Sequence, residues 1–330
     1  MSFPVLSVDD LAPVEVARAF REGGGVLLSF AIDGQLCAEV LQAAHRLFSL
    51  PREEKQAIAI EKSPHFRGWS EMHNQRDWRE QIHLGRDLPA AGEEPPHRRL
   101  QGPNLWPADP HWRSVVSAYM DAAAMVGERI LASAAAGLGV PGTPFAGVGR
   151  EGYVLLKQIG YHPQASVQQQ RPGVAAHVDF SWITLTLQDS PGLEVKSPDG
   201  HWTLIPPVPG ALWVHAGELL EVASRGVYAA TPHRVVNPSL DRTRVSLPLF
   251  LNPPLEGWVA PFVDKAAGGG GVGKGASTPS KSPSSSEPQE HIHRVLPEGT
   301  SIPRFHFGEA EWRRKGRNGW CYRCAPATGD

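Results

Sequence analysis

The spacing of apolar side chains changes character about halfway along the chain. In the N-terminal third it is helical. Leu11, Val14, Ala17 and Phe20 fall on one face of a helix that Ser7 would cap, with the acidic Asp10 three positions on. Gly23-Gly24-Gly25 ends that helix, and residues 26–32 read as a short buried strand. Asp33 can cap a second helix with Leu36, Val40, Ala43 and Leu47 on one face. Leu50-Pro51-Arg52-Glu53-Glu54-Lys55 opens a third, with Pro and acids in its first turn. Pro and Gly make residues 89–110 a loop. Residues 112–138 form one long helix with Val115, Tyr119, Ala122, Val126 and Ile130 near one face, a brace rather than a carrier of chemistry. From Tyr153 the pattern becomes short apolar runs between turn signals: 153–159, 184–188, 193–196, 202–205, 211–215, 229–235 and 245–251. Many short strands with Gly and Pro between them predict a sandwich or barrel of jelly-roll type.

Composition changes this picture at one place. Residues 264–290 contain Gly268-Gly269-Gly270-Gly271 and then mostly Ser and Pro. Such a stretch buries too little apolar surface to offset its ordering entropy and reads as a disordered insertion. The formal net charge of −2 over 330 residues gives no reason to expect nucleic acid or an anionic membrane as partner. The three cysteines, Cys37, Cys321 and Cys324, cannot build a disulfide framework and fit a reducing, cytoplasmic compartment. Neither a signal peptide nor an apolar run of membrane-spanning length is read.

The chemistry concentrates at His177-Val178-Asp179, ahead of the alternating run Thr184-Leu185-Thr186-Leu187-Gln188. Side chains at i and i+2 of a strand share a face, with Cα atoms about 6.5–7 Å apart, so an imidazole and a carboxylate can close on one metal ion. His233 offers a third ligand. Two His and one carboxylate make a facial triad that leaves open positions and suits non-heme Fe(II). A lone His-x-Asp is common on solvated strands. The ordered set His177, Asp179, His233, Arg244, Ser246 is far rarer.

These blocks, together with Gly192-Leu193-Glu194-Val195, Gly217-Glu218-Leu219-Leu220-Glu221 and Ser224-Arg225-Gly226-Val227-Tyr228, resemble the isopenicillin N synthase-like branch of the Fe(II)/2-oxoglutarate-dependent oxygenases. Residues 66–85 and Gly102-Pro103-Asn104-Leu105-Trp106-Pro107 resemble the N-terminal half of the same family. The resemblance implies a mainly β fold with flanking helices: a double-stranded β-helix core with an N-terminal α/β lobe. It divides the chain into an N-terminal lobe (1–110), a bracing helix (111–140), the catalytic core (150–258), the insertion (264–290) and a C-terminal segment packed on the core (291–330). It implies Fe(II) on His177, Asp179 and His233, with 2-oxoglutarate and dioxygen as co-substrates and ascorbate as a candidate reductant. A small organic substrate would be hydroxylated, desaturated or cyclised while succinate and CO2 are released. The far carboxylate of 2-oxoglutarate would be held by Arg244 and Ser246, since the planar guanidinium fork matches a carboxylate in bidentate geometry. The expected protein is a monomer without nucleic-acid or membrane partners.

The resemblance also implies that Arg67, Trp69, His73 and His83 border the substrate pocket. The family stretch Asn-Tyr-Tyr-Pro, aligned on Pro163, places Gly160 and His162 where its co-substrate contacts stand, whereas a slip of one residue would bring in Tyr161. His215 stands where Asn is usual, as a core or supporting His or as a fourth ligand. Two other readings stay open: an Fe(II) oxidase of the same family that does without 2-oxoglutarate, as isopenicillin N synthase and the ethylene-forming plant oxidase do, and a binding protein that kept the barrel. His291, His293, Cys321 and Cys324 could also supply a structural Zn site.

Overall fold

A computed structural model describes residues 4–140, 143–163, 171–236, 241–262 and 304–317. The expected insertion at 264–290 and the candidate Zn ligands His291, His293, Cys321 and Cys324 lie outside the described residues. None of the described helices is long and apolar enough to cross a membrane.

The N-terminal part runs β1 (Val5–Ser7), α1 (Pro13–Glu22), β2 (Gly25–Ser29), α2 (Gly34–Ser49), α3 (Arg52–Ala57), β3 (Gly68–His73), β4 (Trp78–Gly85) and α4 (Pro110–Ala136). The rest runs α5 (Val148–Glu151), β5 (Val154–Tyr161), β6 (Val174–His177), β7 (Ile183–Gln188), β8 (Leu193–Lys196), β9 (Trp202–Leu204) and β10 (Leu212–Ala216). It ends with α6 (Glu218–Ala223), β11 (His233–Val235), β12 (Arg244–Leu251), β13 (Trp258–Val259), β14 (Phe305–His306) and α7 (Phe307–Arg317). Asp33 caps α2 as expected, accepting the Leu36 N–H at 3.0 Å.

One N-terminal expectation needs correction. Ser7 does not cap a helix. It ends β1, which pairs in parallel with β2, and α1 starts later, at Pro13, whose fixed φ suits the first helical position. Residues 68–85, expected to border the substrate pocket, form the β3–β4 hairpin. Its turn is held by Asn74, whose Oδ1 accepts the N–H groups of Arg76 and Asp77 at 2.8 and 2.9 Å. This strand pair is easy to miss because Arg79, Gln81 and His83 alternate with Ile82 and Leu84, and both faces of β4 are buried.

The strands make a jelly roll of two facing sheets. The large sheet has the order β1-β2-β10-β7-β12-β5-β4-β3, and the small one β6-β11-β8-β9. Helices α2 and α4 pack on the outer face of the large sheet and bury the main core there. Contact is close. A Cβ added at Gly127 of α4 would stand 2.6 Å from Leu251 Cδ2, and one added at Gly160 of β5 would stand 2.8 Å from the Phe48 ring of α2. Between the sheets, Leu27, Ile159, Tyr161, Val174, Val195 and Trp213 belong to a second apolar cluster, and the space beyond it is left open as a cavity.

Candidate active site

The cavity holds about 660 Å³, within the range of small-molecule sites. Alternation on the large sheet decides which side chains enter it. From β5 these are Leu155, Lys157, Ile159 and Tyr161; from β12, Ser246, Pro248 and Phe250; from β7, Thr184 and Thr186. The small sheet contributes His177 at the end of β6 and His233 at the start of β11, and these two residues are direct partners in the antiparallel pair. Asp179 lies just past the end of β6, in the connection to β7, so the His-x-Asp pair does not sit on one strand as expected. The chain turns after His177, and the carboxylate still reaches the imidazoles.

Ligand atoms of His177, Asp179 and His233 all lie within 4.8 Å of one another. The Nε2 atoms of His177 and His233 are 3.5 and 3.6 Å from Asp179 Oδ1 and Oδ2. Each ring is tied back through its other nitrogen: His177 Nδ1–H donates to the Ala175 carbonyl at 2.9 Å, and His233 Nδ1–H to the Thr231 carbonyl at 3.0 Å. That hydrogen bond fixes the tautomer and leaves the Nε2 lone pair facing Asp179. Asp179 Oδ2 accepts from the Thr184 hydroxyl at 2.6 Å and from His215 Nε2 at 3.1 Å. His215 therefore positions the carboxylate and is spent on it, which answers the fourth-ligand expectation. Burial pushes the Asp179 carboxyl up, but His233, with His177 and the hydrogen bond from His215, outweighs it and holds the group well below the usual range.

Burial also takes His233 down to about 3, against the pull of Asp179 and helped by His177 and His215. Two imidazoles with outward lone pairs beside an ionised carboxylate are a donor set that fits Fe(II) with positions left open. The metal-free protein has a pH signature. An unfolded His titrates near 6.5, so between about 6.5 and 3 the unfolded chain holds a proton that folded His233 refuses. Stability should therefore fall as pH drops through that window, by up to ~1.4 kcal/mol per pH unit for this one group. Urea midpoints of the metal-free protein at pH 7 and pH 5 measure it, and His233→Gln should flatten the slope. An equal slope in the variant would contradict the assignment.

A second cluster, His97, Glu256 and His306, also brings its ligand atoms within 4.8 Å of one another and differs in tautomer. His306 Nδ1 accepts the Glu309 N–H at 3.3 Å, so the ring proton sits on Nε2, which faces Glu256 at 3.5 Å. Arg98 already occupies Glu256 Oε1 at 3.0 Å. This is a hydrogen-bonded clamp on the C-terminal segment, with no lone pairs converging on a common point.

Arg244 and Ser246 lie two apart on β12, as expected. Ser246 lines the cavity; Arg244 is fully buried behind it. Its Nη2 donates to Gln188 Oε1 at 2.6 Å and its Nε to the Ser190 and Pro191 carbonyls at 3.1 and 3.0 Å. The Tyr161 ring lies 4.9 Å from the guanidinium carbon. Gly192, at φ +151°, lets the side chain through, since a Cβ there would stand 2.6 Å from Arg244 Nε. The third nitrogen, Nη1, is buried with no hydrogen-bond partner. A buried guanidinium bound along one side and bare on another has capacity for an anion that the chain itself does not fill.

Gly160 and His162, the positions given by alignment on Pro163, do not line the cavity. Gly160 faces Phe48 on the outer side of the sheet, where only hydrogen fits, and His162 bonds Glu80 and, at 3.0 Å, Thr243. Tyr161, between them, does line the cavity. Of the four pocket residues expected from the N-terminal part, only His83 lines the cavity. Arg67 is buried on the His65 and Leu100 carbonyls, Trp69 donates to Glu80 at 2.7 Å, and His73 stacks on Trp78. Reading by residue type misses Lys157, Arg79, Arg314 and Lys315, which also line the cavity. Lys157 is legible from the alternation of 153–161 alone.

Comparison with known proteins decides the family. Residues 10–109 match the family described as non-haem dioxygenase in morphine synthesis N-terminal, and residues 151–253 match the 2OG-Fe(II) oxygenase superfamily. Homoarginine-6-hydroxylase 2-ODD-C23.2 of Arabidopsis thaliana is 30% identical over 270 residues, 77% of this chain and 74% of that protein. The chain belongs to the 2OG-Fe(II) oxygenase superfamily. Another relative, the 2-oxoglutarate-Fe(II) type oxidoreductase hxnY of Emericella nidulans, is 30% identical over 76% of this chain and 77% of that protein. A solved 2OG-Fe(II) oxygenase family protein from Caulobacter crescentus superposes with a TM-score of 0.69 at 28% identity, covering 79% of this chain and 90% of that one. The dioxygenase for auxin oxidation in rice shares the fold at a TM-score of 0.68 and 23% identity, over 96% of this chain and 96% of its own. This oxygenase is thus an Fe(II)- and 2-oxoglutarate-dependent dioxygenase with a jelly-roll core.

Proposed function

We propose that His177, Asp179 and His233 hold the iron, that Arg244 and Ser246 receive the far carboxylate of 2-oxoglutarate, and that the rest of the cavity takes a small organic substrate. The observation that carries this reading is the pair of imidazoles tied back through Nδ1 so that both Nε2 lone pairs meet one ionised carboxylate at the cavity wall. When bound, iron with 2-oxoglutarate and dioxygen supplies the oxidising power, with succinate and CO2 as co-products.

The chain's own residues orient and exclude. Thr184 and His215 hold Asp179 so that one oxygen is fixed by hydrogen bonds and the other faces His177. Arg244 is already braced by Gln188 and two carbonyls, so a carboxylate meeting Nη1 needs no reorganisation of the side chain. The Tyr161 ring lies against the guanidinium. Phe180 and Phe250 wall the cavity beside the triad and limit solvent there.

Calorimetric titration of 2-oxoglutarate into the anaerobic Fe(II) protein tests the reading. Micromolar binding is expected. Iron binding without 2-oxoglutarate binding would favour the oxidase alternative. A finer test is Thr184→Val, which removes one hydrogen bond from Asp179 and keeps the shape. Loss of such a partner costs about tenfold to a hundredfold in metal affinity. An unchanged Fe(II) dissociation constant would show that Thr184 does not position the carboxylate.

A further inference from the structure

The cavity contains more cation than its fold consumes. Five basic side chains line it, Arg76, Arg79, Lys157, Arg314 and Lys315, against two carboxylates other than Asp179, namely Asp77 and Glu311. Arg314 and Lys315 on α7 are both satisfied by Glu311, at 2.8 and 3.3 Å. Arg79 has Asp77 at 3.3 Å and the Met72 sulfur at 3.5 Å, while its buried Nε has no partner. Lys157 projects inward from β5, directly across from His83 of β4 in the strand register. Among the described residues no carboxylate lies within ion-pair distance of Lys157, and its Nζ stands over the Phe250 ring at 5.0 Å. Burial, with Arg79, Lys315 and Arg314 adding repulsion, takes this amine down to about 7. An anion beside it would restore the ammonium.

The location excludes a role at the co-substrate end. Lys157 is four residues from Tyr161, about 13 Å along the strand, and Tyr161 pairs with Arg244. Phe250 instead pairs with Thr184, which bonds Asp179, so Lys157 stands on the triad's side of the cavity, away from the bare nitrogen of Arg244. Phe66, Phe180 and Phe250 supply apolar wall around it.

Given the assignment of this cavity to substrate, we propose that it is built for a substrate carrying a carboxylate, received by Lys157, and an aromatic or similarly flat apolar body. The ammonium holds one end of the molecule so that carbon atoms a short way from the carboxylate face the triad. Phe250, under the ammonium, shields the ion pair from water and strengthens it.

The test compares 3-phenylpropanoate with 3-phenylpropanamide, which share shape and differ in charge. Both are titrated calorimetrically, without oxygen, into the Fe(II)-loaded protein with and without 2-oxoglutarate. The acid is expected to bind about tenfold to a hundredfold more tightly than the amide, the size of one charge-assisted hydrogen bond. Lys157→Met should erase that preference, Lys157→Arg should keep most of it, and neither should move the 2-oxoglutarate constant more than about twofold. Equal binding of acid and amide, binding of neither, or a preference that survives Lys157→Met would overturn the proposal. Failure of 2-oxoglutarate to bind would strike only the co-substrate assignment, because the acid–amide comparison is also made without it.

Discussion

Replacing His177 with Ala is expected to cost the protein its iron and its turnover while leaving it folded. His177 is half-buried and its ring bonds only its own strand's Ala175 carbonyl, so its loss opens little in the core. Asp179→Ala and His233→Ala should lose iron equally, with a larger fall in stability for Asp179→Ala. That variant strands Thr184 and His215, buried groups whose acceptor is gone, at about 1–3 kcal/mol. Three ligands share one ion, so each single loss should weaken Fe(II) by more than about a hundredfold, beyond what losing a supporting hydrogen bond costs. Iron stoichiometry and melting temperature, read on the same samples, separate the two effects. His306→Ala serves as control, because the clamp it belongs to presents a proton rather than a lone pair, and its iron content should match wild type. Full iron retention in His177→Ala would refute the triad.

Arg244→Lys should raise the 2-oxoglutarate dissociation constant about tenfold to a hundredfold and leave Fe(II) affinity unchanged. Lysine keeps the charge and loses the planar fork, so the bonds to Gln188, Ser190 and Pro191 and the bare Nη1 cannot all be reproduced. One charge-assisted hydrogen bond in a buried site is worth about 1.5–3 kcal/mol. Because Arg244 also knits β12 to the loop after β7, some loss of stability will accompany this. The variant is therefore titrated well below its melting temperature. An unchanged constant would remove Arg244 as the anchor of the far carboxylate.

Much of this architecture is legible in the sequence. The strands from Tyr153 onward follow from period and turn residues, and His177, Asp179 and His233 do converge. The departures have local causes. The His-x-Asp spacing equals the strand period and so points to one strand, yet β6 ends at His177 and the approach comes from a turn. Gly160 looks like a lost contact when Pro163 is the anchor, whereas packing against Phe48 dictates the glycine. Arg67 and Trp69 suggest pocket residues by type. Their partners, the Leu100 carbonyl and Glu80, are distant in sequence or across a hairpin that polar alternation conceals. Conversely, Lys157 gives no signal by type, and only the inward face of β5 reveals it.

One Fe(II) on this triad should bind 2-oxoglutarate through two of its open positions. Anaerobic addition of Fe(II) and then 2-oxoglutarate to the purified protein, followed in the visible spectrum, reads this binding mode itself. The expected signal is a weak metal-to-ligand charge-transfer band that saturates at one equivalent of iron and is missing in His177→Ala. Stoichiometric iron in the wild-type protein with no such band at saturating 2-oxoglutarate would be incompatible with that coordination.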